Sequence, residues 1–196
     1  MLSLIISFIG LLQSGDLIFE IASDSEMSSA IADATAQSDS LKFSHVGIIL
    51  IDELTGTPSV IEATGRYGVV VTPIDSFMNK SEKGVIVKRL DIDYPVDRVI
   101  ERAKSYLGRG YDWWYLPDNE EIYCSELVEK CYLMTDGTPI FTTIPMNFRD
   151  KNGEMPQFWT DHFNRLGKPI PEGVAGTNPT QISRHPHLVT LSPKNL

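Results

Sequence analysis

Cys124 stands near the head of Tyr123-Cys124-Ser125-Glu126-Leu127-Val128, and His45 near the head of Phe43-Ser44-His45-Val46-Gly47-Ile48-Ile49-Leu50. The first pattern suits a cysteine in the opening turn of an amphipathic helix. The second suits a histidine entering a buried strand. A thiol becomes a nucleophile at neutral pH when a base takes its proton and a positive field holds the thiolate. A helix N-terminus supplies that field through its free N–H groups and its dipole. An imidazole brought alongside supplies the base.

Each residue alone has a plainer explanation. Free cysteine is among the most buried residue types, and Cys131, set among apolar neighbours, is read that way. His45 shares a strand face with Gly47 and Ile49 by simple alternation, and Gly47 leaves room beside it for a thiol to approach. Glu62 lies inside the apolar run Val60-Ile61-Glu62-Ala63. A carboxylate there either faces solvent or needs a partner, and a histidine on the neighbouring strand is the obvious one. Such a carboxylate would fix the tautomer and orientation of the ring. His162, His185 and His187 sit in polar, proline-rich surroundings and are expected to face solvent.

The elements that must position these residues follow from periodicity and turn chemistry. Short apolar, β-branched runs at 17–19, 44–51, 59–64, 68–72 and 84–90 read as strands, and their short connectors favour an antiparallel meander. Residues 27–36 read as a weak helix within a polar stretch that could lie over a site. From Pro95 the period changes to that of a helix, carried by Val96, Val99, Ile100, Ala103 and Leu107 and stopped by Gly108. A second helix starts near Tyr123 and closes at Asp136-Gly137. Between them, Tyr111-Asp112-Trp113-Trp114-Tyr115 is an aromatic loop able to wall a pocket. Residues 156–166 suggest one more helix, in a tail otherwise rich in Pro, Gly and Asn. The fold class is therefore α+β, an antiparallel, barrel-like sheet packed against helices.

The 196 residues fit one domain, at 14–196, with an irregular C-terminal tail. The net charge of −9 and the lack of a basic stripe exclude a nucleic-acid partner. The two cysteines, seven apart on one helix, lie roughly 10 Å apart along its axis and cannot form a disulfide. No Cys/His cluster points to a metal, and nothing points to a cofactor. Residues 1–13 are strongly apolar yet too short to span a bilayer. They suit a secretory signal, and so export to a bacterial periplasm or cell envelope, although no Lys or Arg precedes Lys42. The other reading is a buried N-terminal segment, and with it a cytoplasmic protein.

Taken together, Ser44-His45-Val46-Gly47-Ile48, then Val60-Ile61-Glu62-Ala63 with Gly68-Val69-Val70, then Tyr111-Asp112 and Tyr123-Cys124-Ser125-Glu126-Leu127-Val128, resemble the YiiX/YaeF-type permuted papain-like amidases. These are circularly permuted relatives of NlpC-type cell-wall peptidases. Gly15-Asp16-Leu17-Ile18-Phe19 is similar to their opening strand. The resemblance covers roughly residues 14–135, and the tail adds little to it. It implies a permuted papain-like cysteine hydrolase fold with Cys124 as nucleophile, His45 as base and Glu62 as the third member. It implies positions for Tyr123, Tyr111 and Asp112 near the substrate. The expected activity is cleavage of an amide or ester bond in a small-molecule or peptide substrate, such as a cell-wall peptide or an acyl amide. The rival readings are a lipid-directed acyltransferase or thioesterase with the same dyad, which alone would bring a membrane into play, and a non-catalytic binding module. A serine hydrolase is weaker still, because no G-x-S-x-G turn is present. The oligomeric state is left open.

Overall fold

The computed structural model describes residues 10–35 and 41–191; most of the apolar N-terminal segment considered for export, residues 1–9, lies outside them. The chain folds as one open, fully antiparallel sheet with helices on both faces. In chain order the elements are β1 (Leu17–Ile21), α1 (Glu26–Thr35), β2 (Phe43–Ile51), β3 (Pro58–Thr64), β4 (Gly68–Pro73), α2 (Ile74–Lys80), β5 (Val85–Leu90), α3 (Val96–Ser105) and α4 (Cys124–Cys131). The tail adds β6 (Ile144–Pro145), α5 (Gln157–Leu166), β7 (Ala175–Gly176), α6 (Pro179–Ser183) and β8 (Leu188–Thr190).

The main sheet runs β4-β3-β2-β1-β5-β8, with β6 and β7 paired separately. Its edge strands β4 and β8 do not pair with each other, so the barrel-like sheet expected from the sequence is an open sheet. The sixth strand, β8, comes from the C-terminal tail, where the sequence predicts irregular structure. Alternation along β1 sends Leu17 and Phe19 to one core and Ile18 to the other. The larger core packs Val46, Ile48, Ile61 and Ala63 against Leu127, Val128 and Cys131 of α4 and Val99 and Ala103 of α3. The smaller core sets Ile49, Val60 and Val87 against Ile74 and Phe77 of α2. A buried ion pair ties the start of β1 to β5: Arg89 Nε donates to Asp16 Oδ1 at 2.6 Å and Nη2 to Oδ2 at 2.7 Å.

The route into α4 is set by β4. Val69 N donates to Arg109 O and Gly108 N to Val69 O, both at 2.9 Å, so residues 108–109 run on from the outer strand. Gly68 makes this approach feasible: its φ is +67°, and a Cβ there would meet Arg109 O at 2.0 Å. Ile122 N then donates to Gly110 O at 3.0 Å, which pins both ends of the aromatic loop beneath the helix start.

Candidate active site

Glu62 is the fully buried centre of a polar cluster on β3. Its Oε2 takes a hydrogen bond from His45 Nε2 at 2.6 Å, its Oε1 takes one from Thr72 Oγ1 at 2.6 Å, and Lys80 Nζ lies 2.7 Å from both oxygens. The strands explain the meeting. His45 and Glu62 sit on adjacent β2 and β3, Thr72 is on β4, and Lys80 ends the helix that follows β4. The His45 ring stacks on Phe77 of that helix with centroids 5.8 Å apart. Gly47 does leave space here, but Val60 and Glu62 use it rather than the thiol. A Cβ on Gly47 would meet Val60 Cγ1 at 2.3 Å and Glu62 Cβ at 3.4 Å.

Burial pushes the Glu62 carboxyl upward, but hydrogen bonds and charge from His45 and Lys80 outweigh it and hold the group at about 2. Burial likewise pushes the His45 imidazolium down, and it is outweighed in turn. Hydrogen bonding to Cys124 and to Glu62, and the charges of both, carry His45 up to about 10. With Nε2 committed to Glu62, Nδ1 is the ring nitrogen left to the thiol. The imidazole therefore stays protonated across neutral pH.

Cys124 is the first residue of α4, with Tyr123 as the N-cap. The first N–H groups of a helix have no carbonyl a turn earlier to bond, so those of Cys124 and Ser125 remain beside the sulfur. Glu126 secures this end: its Oε2 accepts from Tyr123 N at 3.3 Å. Burial raises the Glu126 carboxyl to about 7 even with Lys130 and the Tyr123 N–H lowering it.

The sulfur borders a narrow cavity of about 50 Å³, partly open to solvent, walled by Tyr111, Tyr115, Tyr123, Met146, Phe148 and Trp159. The lining is mostly apolar, yet Ser125 Oγ and Trp159 Nε1 in it are buried without a hydrogen-bond partner among the described residues. The cavity can thus take an apolar group and still offer a hydrogen bond or two.

Of the three residues expected near a substrate, Tyr111 and Tyr123 line this cavity and Asp112 does not. Asp112 is fully buried and shapes the loop, its Oδ1 accepting from Trp114 N and its Oδ2 from Leu116 N, both at 2.8 Å. The resulting turn places Tyr115 at φ +55°, a conformation uncommon for a bulky residue, with its ring against Tyr123 at 5.4 Å. Tyr123 also anchors the tail, since its hydroxyl accepts from Thr177 N at 3.1 Å. Gly176 permits that contact, because a Cβ there would meet Met146 Sδ at 2.5 Å and Tyr123 Oη at 2.9 Å.

The sequence reading missed Lys80, Thr72 and the whole contribution of the tail. A buried glutamate implies a cation nearby, which was the available signal for Lys80. Met146, Phe148, Trp159 and Thr177 all border the cavity, so the tail completes the site rather than trailing from it. His162, expected in solvent, is buried, with Nε2 2.9 Å from Trp113 O among the rings of Phe158, Trp159 and Phe163.

A histidine strand preceding a cysteine helix, with a carboxylate behind the imidazole, is the papain arrangement in permuted order. Over residues 11–192 the chain matches the family described as permuted papain-like amidase enzyme, YaeF/YiiX, C92 family. The chain belongs to this family. It is 31% identical over 184 residues to the uncharacterized protein YiiX of Escherichia coli strain K12, covering 92% of this chain and 86% of that protein. It also superimposes, with a TM-score of 0.74 and 30% identity, on the crystal structure of metalloprotein YiiX from Escherichia coli O157:H7, covering 92% of this chain and 96% of that one. Membership in the permuted papain-like amidases assigns the general class, a hydrolase of the amidase or peptidase type. That relative is described as a metalloprotein. Among the described residues here, no three His, Cys, Asp or Glu side chains gather as a metal-holding cluster.

Proposed function

We propose that this protein is a cysteine hydrolase that cleaves an amide or ester bond next to an apolar acyl group. Cys124 is the nucleophile, His45 the proton carrier and Glu62 the residue that positions it. The observation that carries the reading is the line Cys124–His45–Glu62 at the start of α4, with the imidazole proton held up to about 10. The aromatic cavity beside the sulfur favours a hydrocarbon-rich acyl group over the polar stem of a cell-wall peptide.

The steps balance without a cofactor. With the shared proton on His45, the sulfur attacks the carbonyl carbon and forms a C–S bond. The oxyanion takes a hydrogen bond from the Cys124 N–H at the helix terminus. As the C–N or C–O bond breaks, His45 gives its proton to the leaving atom. A water molecule then loses a proton to His45, attacks the thioester carbon and releases the acid, and the proton stays on the imidazole. Glu62 stays ionised throughout and keeps the ring aimed.

The test is hydrolysis of an N-acyl anilide by the wild-type chain and by Cys124→Ala, with intact-mass detection of a thioester. The expected loss is about 10³-fold or more, with an acyl adduct on residue 124 seen in the wild type alone. A Cys124→Ala variant as fast as the wild type overturns the reading. An added alcohol or amine that takes the acyl group faster than water would make the enzyme a transferase instead.

A further inference from the structure

Cys124 and His45 stand on the boundary between two cavities, the second with the larger polar share in its lining. The aromatic cavity contains Cys124. His45 lines a second, adjoining one, together with Glu20, Ser23, Ser25, Thr64 and Lys80 and the apolar Met27 and Ala63. Ile31, Ser44 and Tyr111 line both, so the two meet at the dyad.

The group that protonates a leaving atom has to be in contact with it. Under the hydrolase reading that group is His45, so the acyl part of the substrate lies on the sulfur side and the departing part on the imidazole side. The departing part then meets hydroxyls and charge where the acyl part meets aromatic rings. Glu20 pairs with His45 across β1 and β2 in the sheet register. It is half-buried, and among the described residues no Lys or Arg forms an ion pair with it. Lys80, the cation in this cavity, spends its ammonium on both oxygens of Glu62. His45 and Lys80 both direct their hydrogen bonds at Glu62, so the Glu20 carboxylate beside them has no cation bonded to it among the described residues. Burial raises the Glu20 carboxyl while the His45 and Lys80 charges lower it, so a cation delivered by a ligand would find a carboxylate that gains from it.

We infer that the second cavity is the leaving-group subsite, and that Glu20 selects amines bearing a further, positively charged nitrogen. The substrate class is then an amphiphilic N-acyl amine, apolar on the acyl side and cationic on the amine side. The inference rests on the hydrolase reading and adds a recognition residue to it. Glu20 binds, and takes no proton in the reaction.

Two amides with the same decanoyl group test it, one of putrescine and one of butylamine, which differ only in the terminal ammonium. The wild type is expected to prefer the putrescine amide by about tenfold in kcat/KM, as one charge-assisted contact supplies. Glu20→Gln should bring that ratio close to one, mainly through KM, and Glu20→Asp should keep part of it. Any effect of Glu20 on the His45 proton acts on both substrates and cancels in the ratio. Equal rates in the wild type, or a preference that survives Glu20→Gln, overturn the subsite and leave the hydrolase reading standing. No acyl adduct from either amide overturns both.

Discussion

The two ends of helix α4 carry the same residue in opposite circumstances. Cys124 opens the helix, beside unpaired N–H groups and an imidazole. Cys131 closes it, buried in the larger core. Burial pushes the Cys131 thiol up to about 12, with the Arg102 charge lowering it and Glu129 raising it. Neither cysteine is in a disulfide. One residue type on one helix thus gives a candidate nucleophile and an inert piece of core. What separates them is the His45–Glu62–Lys80 cluster and the place of each cysteine relative to the helix dipole.

Removing what Cys124 has and Cys131 lacks should collapse the difference. Glu62→Gln takes away a carboxylate that holds the imidazolium proton, and the rate should fall by roughly 10²-fold. The pH profile should move as well. His45 is raised to about 10, so its contribution is complete below the ordinary histidine pKa and is lost as pH rises through about 10. Glu62 is lowered to about 2, so its contribution is complete above the ordinary glutamate pKa and is lost as pH falls through about 2. In Glu62→Gln the alkaline limb of kcat/KM should therefore shift to lower pH. A limb that stays in place means that Glu62 does not hold the proton.

Lys80→Met should do less. Lys80 is two-fifths exposed and holds the carboxylate behind the ring, so a loss of about fivefold is expected, and losing a positive charge beside the imidazolium should move the same limb slightly to higher pH. At the other end of the helix, Cys131→Ala should leave the rate unchanged and cost about 1 kcal/mol of stability in denaturant unfolding. A rate loss in Cys131→Ala would show that the contrast between the two ends is drawn wrongly.

The same contrast shows how far the sequence could be read. Helix α4 was legible because Leu127, Val128 and Cys131 repeat with its period. The strands of His45 and Glu62 were legible because β-branched runs stand between turns. The partners of Glu62 were not. Thr72 and Lys80 lie ten and eighteen residues beyond it, and only the pairing of β3 with β4 and the return of α2 over the sheet bring them back. The tail was misjudged for a related reason. β8 and α6 are three and five residues long, too short to show a period. The burial of Trp159 and His162 depends on rings from the loop after Gly110. Gly47 was misread in detail, because alternation gives the face of a residue but not which neighbour fills the space it leaves.

The most direct measurement is the alkylation rate of each cysteine with iodoacetamide at mildly acid pH, resolved by peptide mass mapping in the wild type and in His45→Ala. Cys124 should react at least about 100-fold faster than Cys131 in the wild type and lose most of that lead in His45→Ala. Two equally sluggish thiols, or a Cys124 whose rate ignores the loss of His45, would contradict the account.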